Sequence, residues 1–383
     1  MKKIAIIGAN EFQNKLVLKA KELGIETHVF AWEEGAIAKE NSNFFYPISI
    51  TEKEKILEIC KKIKIDGVCS ISSDLAMPTV NFIASKLNLV GNSLECTKLT
   101  TNKYAMRNQL NENDLPCPKY FLINSEFNIN NLKNINLDYP LIVKPTDRSG
   151  SRGIYKVNNE KELKNGIKNS LKESFSKEII IEEFIEGNEY SVEAVSQNGI
   201  HKIIQITRKF TTGSPHFIET GHIQPACLSK EITKKICDII IRSLDVLKVS
   251  NGASHSEIKI FNDEVKIIEI GARMGGDFIG SDLVNISTGV DFLKLVLDIS
   301  LGKEIFKNFP IIENKNIAFV KFIFTKEDLE NFKNIKNKYE KNIIEFSFEK
   351  NFKNVTDSSS RNGYYLMKIE NTNTLEKIKG ELL

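Results

Sequence analysis

The 383-residue sequence has no long hydrophobic run and no excess of one charge. No apolar stretch approaches the ~18–20 residues that cross a bilayer. The apolar segment before Gly8 is shorter than the ~7–15-residue core of a signal peptide, and no small-residue cleavage site follows it. Lys plus Arg number 53 and Asp plus Glu 50, so the net charge is +3, with the signs interspersed. We therefore expect a cytoplasmic protein whose partners are neither nucleic acid nor membrane.

Cysteine, histidine and arginine are also scarce. The 6 cysteines form no C-x-x-C pair and the 5 histidines do not cluster, which excludes a zinc site of the usual spacing and favours reduced thiols over disulfides. The arginines are Arg107, Arg148, Arg152, Arg208, Arg242, Arg273 and Arg361. Because lysine supplies the general surface charge, an arginine is more often present for its planar, bidentate guanidinium.

What the sequence does contain is a regular alternation of strands and helices over residues 1–93, starting with a strand at 3–7 and a helix at 12–23. This order predicts a Rossmann-like parallel-sheet domain. The turn at Gly8 lacks a complete G-x-G-x-x-G and is a weak nucleotide signal. Residues 94–302 mix hairpins with helices, which predicts an α+β domain, and residues 303–383 are expected to form a small C-terminal α+β region.

A first candidate site follows the predicted strand at residues 141–144, which ends in Lys144. The loop after it contains Ser149, Gly150, Ser151 and Gly153, with Arg148 and Arg152 beside them. Small residues let backbone N–H groups approach anionic oxygens, and the arginines add fixed positive charge. The loop is a candidate phosphate cradle, although by itself it is equally compatible with an ordinary flexible hairpin.

A second candidate site lies in residues 178–193. An apolar strand runs into Glu182 and Glu183, and Glu189 follows after a turn at Gly187. Exposed backbone at a strand end can hydrogen-bond a purine edge, and a carboxylate beyond the turn can accept hydrogen bonds from ribose hydroxyls. The segment is therefore a candidate nucleoside site.

A third candidate site is formed by Glu257 and Glu269, on two strands that flank a predicted turn at residues 262–263. Two such acids can project toward one point, and hard oxygen ligands suit Mg²⁺ better than zinc. Either glutamate alone would be compatible with a solvated strand face. The sequence G-A-R-M-G-G, with Arg273, follows the second acid directly.

Taken in order, the motifs IVKP…GSRG, IIIEEFIEGNEYSVE and HSEIK…IIEIGARMGGD resemble the ATP-grasp superfamily over about residues 94–302. The resemblance implies a nucleotide between two α+β lobes, with a lid lobe at about residues 115–185, preceded by the α/β domain of residues 1–93. It also implies ATP and Mg²⁺ as cofactors, with Mn²⁺ as an alternative metal. In this family ATP phosphorylates a carboxylate, and an amine then attacks the acyl phosphate, which releases ADP and phosphate.

The resemblance assigns roles position by position. For the nucleotide, it implies phosphate contacts for Lys103 and Lys144 and a mobile flap at residues 149–153. It implies an adenine hinge at Glu182, Glu183 and the Ile185 backbone, and a ribose contact for Glu189. For the chemistry, it implies metal binding by Glu257 and Glu269 and phosphoryl stabilisation by Arg273. A structural arginine that pairs with a nearby acid is the alternative for Arg273. Many members carry asparagine two residues after the second acid, where this chain has Gly271, so a third side-chain metal ligand stays open.

The substrates are less well defined by the sequence. Residues 206–222 resemble the acceptor segment of amino-acid ligases, in which Arg208 would bind a carboxylate and Glu219 an ammonium group. His222 and His255 are candidate proton acceptors, although a lone histidine is more often structural. We expect a ligase that joins a small-molecule carboxylate to an amine. The alternatives are a carboxylase-type or purine-pathway enzyme and a non-catalytic nucleotide-binding regulator, and the sequence leaves a homodimer open.

Overall fold

The N-terminal domain is built on a parallel sheet. The computed structural model describes residues 1–124, 127, 132, 136–150, 152–214 and 216–370. Its first elements are β1 (Lys3–Ile7), α1 (Glu11–Glu22), β2 (Glu26–Ala31), β3 (Phe44–Pro47), α2 (Lys53–Ile63), β4 (Gly67–Cys69) and α3 (Met77–Leu87). The four strands pair in parallel in the order β3-β2-β1-β4. The Rossmann-like sheet expected from the sequence is therefore confirmed, with β3 as an additional edge strand.

Two short helices lead from this domain into the rest of the chain, α4 (Leu94–Thr101) and α5 (Lys103–Asn111). The sequence predicts one helix over residues 101–111, whereas the structure has a break at Asn102. The Asn102 side chain accepts a hydrogen bond from the Ala105 N–H and so caps α5. The break matters for the site because Lys103 is the first residue of the second helix.

The lid lobe is a second, antiparallel sheet. Its elements are β5 (Tyr120–Ile123), β6 (Leu141–Pro145), β7 (Tyr155–Val157), α6 (Glu160–Glu173) and β8 (Ile179–Glu183), with the strand order β5-β8-β6-β7. Helix α6 packs on β6 and β7 through Leu163 and Ile167. We expected Pro145 to end the pairing of β6, but it pairs with Ile179. A proline at the end of a strand can remain in register because its carbonyl still accepts a hydrogen bond.

The largest sheet holds the rest of the chain. It contains β9 (Asn188–Gln197), β10 (Ile200–Thr211), β11 (Glu219–Gln224), β12 (Gly252–Phe261), β13 (Glu264–Gly271), β14 (Ile317–Ile323), β15 (Ile343–Phe348) and β16 (Gly363–Ile369). Four further helices lie beside it, α7 (Lys230–Val246), α8 (Val284–Thr288), α9 (Phe292–Ser300) and α10 (Lys326–Tyr339). The eight strands are ordered β13-β12-β9-β10-β11-β14-β16-β15.

The C-terminal strands therefore continue the same sheet, because β14 pairs with β11 and then with β16. The mixture of α/β and α+β parts agrees with the fold class expected from the sequence. The division at residue 303 stays a prediction, since the hydrogen bonds of this sheet cross it. Within the part of the chain described, no helix is long and apolar enough to cross a membrane.

Candidate active site

A cleft lies between the lid sheet and the large sheet. It consists of two adjoining cavities of about 130 and 110 Å³, both lined by Ile154, Glu219, Glu257 and Glu269. The first cavity has an apolar wall that includes Ile142, Phe184, Ile185, Phe217 and Ile268. The second is lined mainly by charged side chains. An apolar slot that opens onto a charged pocket matches the shape and polarity of a nucleoside joined to phosphates.

Glu182 and Lys144 form a buried ion pair at the floor of the first cavity. The Lys144 Nζ lies 2.7 Å from Glu182 Oε2, and the Arg107 Nε donates to Glu182 Oε1 at 2.8 Å. Burial alone would raise the pKa of Glu182, but the two positive charges hold that pKa below its usual value. Burial lowers the pKa of Lys144. The carboxylate of Glu182 thus orients Lys144, and Arg107 is a member of the site that the motifs did not identify.

Lys103 extends from the start of α5 into the second cavity. Its Nζ donates to Glu269 Oε1 at 2.9 Å and to the Arg148 carbonyl at 2.6 Å. The Lys103 N–H also donates to the Thr146 carbonyl at 2.9 Å, which ties the helix start to the loop after β6. Lys103 therefore connects Glu269, one of the two predicted metal ligands, to the lid.

The two predicted metal ligands are direct neighbours, because Glu257 on β12 is the register partner of Glu269 on β13. Directly opposite residues of an antiparallel pair project from the same face of the sheet. Both carboxylates line the cleft, as expected from the flanking turn. Among the residues that the structure describes, no cluster of three or more metal-ligating side chains is present.

The sequence analysis did not predict Lys209 as a residue of the site, although Lys209 contacts more of the predicted acids than any other lysine described here. Its Nζ contacts Glu257 Oε1, lies 3.0 Å from Glu189 Oε1 and 3.8 Å from Glu219 Oε1. Burial opposes its charge, but the three carboxylates raise the pKa of Lys209 well above its ordinary value. In turn Lys209 and His255 hold the pKa of Glu257 well below its ordinary value, although burial acts in the other direction. The ammonium group of Lys209 thus lies close to three predicted site residues, namely the ribose contact Glu189, the substrate contact Glu219 and the metal ligand Glu257.

Arg273 pairs with an acid from the N-terminal domain. Its Nε donates to Asp74 Oδ1 at 2.8 Å and its Nη2 to Asp74 Oδ2 at 2.9 Å. Gly271 makes room for this pair, since a Cβ there would lie 2.9 Å from Asp74 Oδ1. The structural pairing weighed for Arg273 is therefore present, yet Arg273 also lines the cleft beside Glu257 and Glu269.

The predicted hinge and flap lie around the first cavity. Glu183, Ile185 and Glu189 line it, and the Ile185 carbonyl accepts a hydrogen bond from Lys259 Nζ at 3.0 Å. Gly187 makes the turn before β9 with a φ of +99°, and a Cβ there would lie 2.1 Å from the Ile260 carbonyl oxygen. Only glycine fits this turn.

Of the predicted flap residues, Ser149 and Gly150 line the second cavity. Gly153 packs against Pro145 and the side chain of Glu173. Ser151 lies outside the described residues. Of the three predicted flap residues that the structure describes, two therefore line the second cavity.

Two predicted substrate residues are not in the cleft. Arg208 precedes Lys209 on β10, and successive strand residues face opposite sides of a sheet. Its guanidinium lies 5.1 Å from the centroid of the Phe210 ring. His222 is fully buried, with its Nε2 3.7 Å from Asp277 Oδ2 and no hydrogen-bond partner for either ring nitrogen among the described residues. The assignment of these two residues to substrate is therefore not supported by their positions.

Glu219, in contrast, lines both cavities and is fixed from the C-terminal part of the chain. Its Oε2 accepts a hydrogen bond from Ser358 Oγ at 2.5 Å, and its carbonyl accepts one from Arg361 Nη1 at 3.4 Å. Arg361 also pairs through both Nη atoms with Asp277. Residues 358–361 therefore help to build the cleft, a role that the sequence analysis did not assign to them.

Comparison with known proteins agrees with this geometry. The family model of the ATP-grasp domain matches residues 137–282. The D-alanine–D-alanine ligase of Flavobacterium johnsoniae is 31% identical over 184 residues, which are 46% of this chain and 56% of the relative. The alanine–anticapsin ligase of Bacillus subtilis is 26% identical over 279 residues, 66% of this chain and 58% of the relative. The chain thus spans little more than half the length of these curated relatives.

Among solved structures, an L-amino acid ligase from Bacillus licheniformis has a TM-score of 0.82 at 24% identity, with 100% of this chain and 97% of that chain covered. Residues 137–282 thus match the family model of the ATP-grasp domain, and the chain shares the fold of this ligase. Among curated proteins, the chain is similar to carboxylate–amine ligases.

Proposed function

We propose that this protein is an ATP-dependent ligase that joins a carboxylate to an amine, with amino-acid or peptide-like substrates. The observation that carries the proposal is the cross-strand pair Glu257–Glu269, which faces Lys103, Lys209 and Arg273 in one cleft. Two adjacent acids beside three cations suit a metal–phosphate complex, in which each group finds an opposite charge. The similarity to curated amino-acid ligases supports the same reaction class.

The reaction has two steps. A carboxylate oxygen of the first substrate attacks the γ-phosphorus of ATP, the bond to the β-phosphate oxygen breaks, and ADP leaves. The amine nitrogen of the second substrate then attacks the acyl carbon, phosphate leaves, and the nitrogen loses a proton. Lys144 and Lys103 would contact phosphate oxygens, and Arg273 would stabilise charge on the transferred group through the N–H groups that Asp74 does not use.

Mg²⁺ fits the residues present. Mg²⁺ is usually held by one or two carboxylates together with phosphate oxygens and water, and Glu257 and Glu269 supply such a pair. When bound, the metal would neutralise phosphate charge. Lys103 and Lys209, which now pair with these acids, would then be free to contact phosphate oxygens themselves.

The test is a screen for phosphate release from ATP and Mg²⁺ over pairs of carboxylates and amines, followed by Glu257→Gln and Glu269→Gln on the best pair. We expect both variants to fall to background and to remain folded, with a somewhat lower melting temperature because Lys209 or Lys103 loses a partner. Glu264→Gln, at an exposed position of β13, is the matched control and should stay active. Near-normal phosphate release by either cleft variant at saturating Mg²⁺ would contradict the metal assignment.

The same screen separates the alternatives. Release that requires bicarbonate would identify a carboxylase-type enzyme, and release that requires a phosphoribosyl amine would identify a purine-pathway enzyme. ATP binding without release for any pair would favour a nucleotide-binding regulator. The retention of Lys144, both acids and Arg273 argues against the regulator, since binding alone needs fewer of them.

A further inference from the structure

We propose that a cavity in the N-terminal domain binds the apolar side chain of an amino-acid substrate. This inference rests on the proposed ligase function and names the substrate class. The cavity is separate from the nucleotide cleft and has a volume of about 550 Å³. Volumes of ~300–1,000 Å³ are typical of small-molecule sites.

The cavity lies where a doubly wound sheet collects ligands. Gly8 follows β1, Trp32 follows β2, and Ser49 lies just after β3, so the carboxyl ends of three neighbouring parallel strands line it. Such sheets bind ligands at this edge, because the loops that leave the strands diverge there and leave a crevice.

The walls of the cavity are mainly apolar and unusually exposed. Trp32, the only tryptophan of the chain, is 68% exposed, and Leu75 is 46% exposed. Ile50 and, from the lid lobe, Phe175 complete the apolar surface. When an apolar group covers large apolar side chains that are exposed to water at a concave site, the burial of that surface lowers the free energy. The cavity therefore favours an apolar side chain.

The charges of the cavity disfavour a phosphate. Of the described residues that line it, Glu34 is the one charged residue and is negative. The N-terminus of α1 opens toward it, but the Asn10 side chain already accepts hydrogen bonds from the Phe12 and Gln13 N–H groups. Those donors are thus not available to an anion. A phosphoribosyl group, the substrate class of the purine-pathway alternative, would meet no cationic side chain among the described residues that line this cavity.

A single loop separates the cavity from the reaction cleft. Ser73 and Leu75 line the cavity, whereas Asp74 between them pairs with Arg273 in the cleft. The Ser72 N–H donates to the Met274 carbonyl at 3.1 Å, which fixes this loop against the metal-site strand. A substrate whose side chain fills the cavity can therefore present its reacting group beside Asp74, next to the transferred phosphoryl group.

The single tryptophan makes the inference directly testable. The intact protein is titrated, without ATP, with leucine, phenylalanine, aspartate and ribose 5-phosphate while tryptophan emission is recorded. We expect a saturable change with leucine or phenylalanine and none with the other two. Leu75→Ala should weaken the apparent affinity for the apolar amino acid several-fold, because part of the covering surface is lost. Leu18→Ala is the matched control, since Leu18 is also 46% exposed but does not line the cavity.

The steady-state reaction gives the second readout. Trp32→Ala should raise the KM for the apolar amino acid about ten-fold or more, leave the KM for ATP unchanged, and lower the preference for leucine over alanine. If the ligase is active but emission does not change and the KM values of Trp32→Ala and Leu75→Ala are normal, the inference is wrong while the proposed function stands. A response to ribose 5-phosphate alone would also overturn it. Failure of the proposed function would give a different result, because the unmodified protein would then form no ADP with any substrate pair.

Discussion

At the residue scale, the charged groups of the cleft pair with one another. Lys209 is held by Glu189 and Glu257, Lys103 by Glu269, Lys144 by Glu182 and Arg273 by Asp74. A buried charge without a partner is costly, so these pairs stabilise the cleft. Under the proposed function, a metal–nucleotide complex would exchange these partners, with the acids pairing with the metal and the lysines with phosphate.

Lys209→Met tests this exchange. Loss of the ammonium group removes the cation shared by three carboxylates. We expect the free energy of unfolding to fall by about 2–3 kcal/mol, less than the ~3–5 for a fully buried pair, because the acids are partly exposed and Glu257 keeps His255 as a partner. Mg²⁺ alone should raise the melting temperature of the variant more than that of the unmodified protein, since the cation replaces the lost charge. Lys202→Met, on the same strand but outside the cleft, is the control. An equal response to Mg²⁺ in all three proteins would speak against the exchange.

Arg273→Lys separates chemistry from binding. The two-bond geometry with Asp74 requires a guanidinium, so lysine loses both the alignment and part of the charge distribution. We expect kcat to fall on the order of 10²-fold, as for the loss of one electrostatic donor, with only a few-fold change in the Kd for ATP. Asp74→Asn, which keeps the shape, should lower kcat less than Arg273→Lys. Single-turnover kinetics and melting curves on the same preparations distinguish a catalytic from a structural role. A fully active Arg273→Lys enzyme would show that Arg273 has no catalytic role.

At the element scale, the regular parts of the fold are predictable and the breaks are not. Hydrophobic alternation identifies β1 at its observed bounds, and the strands predicted around Glu257 and Glu269 are present as β12 and β13. It misses α4, because a polar eight-residue helix has little periodicity. It also misses β3, a four-residue edge strand. Elements held by tertiary contacts leave a weak local signal.

The same reasoning explains the site. Lys144, Glu257, Glu269 and Arg273 lie in ordered motifs and are predicted from the sequence, whereas Lys209, Arg107 and the pairing of Asp74 with Arg273 are not. Lys209 is next to Arg208, and only the register with β9 shows that Lys209, opposite Glu189, faces the cleft. Asp74 comes from another domain, 199 residues away from Arg273 in the chain. Such partners are set by topology, which the local pattern does not contain.

Asn102→Ala tests the break between α4 and α5. The variant loses the hydrogen bond from the Ala105 N–H, and we expect the free energy of unfolding to fall by about 1 kcal/mol, as for other N-caps. Because Lys103 is the next residue, the KM for ATP should also rise several-fold. Ser93→Ala, which removes the corresponding cap of α4, should cost similar stability with an unchanged KM. Equal KM values for both variants would mean that the cap does not position Lys103.

At the scale of the whole molecule, the C-terminal strands and the cleft form one unit. Arg361 pairs with Asp277 and supports Glu219, and β14 continues the sheet that carries the metal-site acids. His222 lies at this junction in a T-shaped contact with Phe322, with 5.7 Å between the two ring centroids. The fully buried ring makes the stability of this junction depend on pH.

We expect His222→Leu to reduce the loss of stability in mild acid. Burial lowers the pKa of His222 from 6.5, although Asp277 acts in the opposite direction. As pH falls below 6.5, the unfolded chain takes up a proton that the folded protein resists, so the free energy of unfolding decreases. In the variant this contribution is absent, so its stability should fall less between pH 6.5 and 5, and the difference in slope has an upper limit of about 1.4 kcal/mol per pH unit. Urea unfolding at several pH values measures it, and parallel curves for both proteins would contradict the expectation.

Gly271 has a consequence for how related sequences vary. The Asp74 carboxylate occupies the space that a side chain at position 271 would need. Any residue larger than glycine at position 271 would therefore require the Asp74 carboxylate to shift from its pairing with Arg273, and we expect the two positions to change together among homologues. A homologue with asparagine at 271 should carry a small or neutral residue at 74, and its equivalent of Arg273 should be anchored by a different acid or by none.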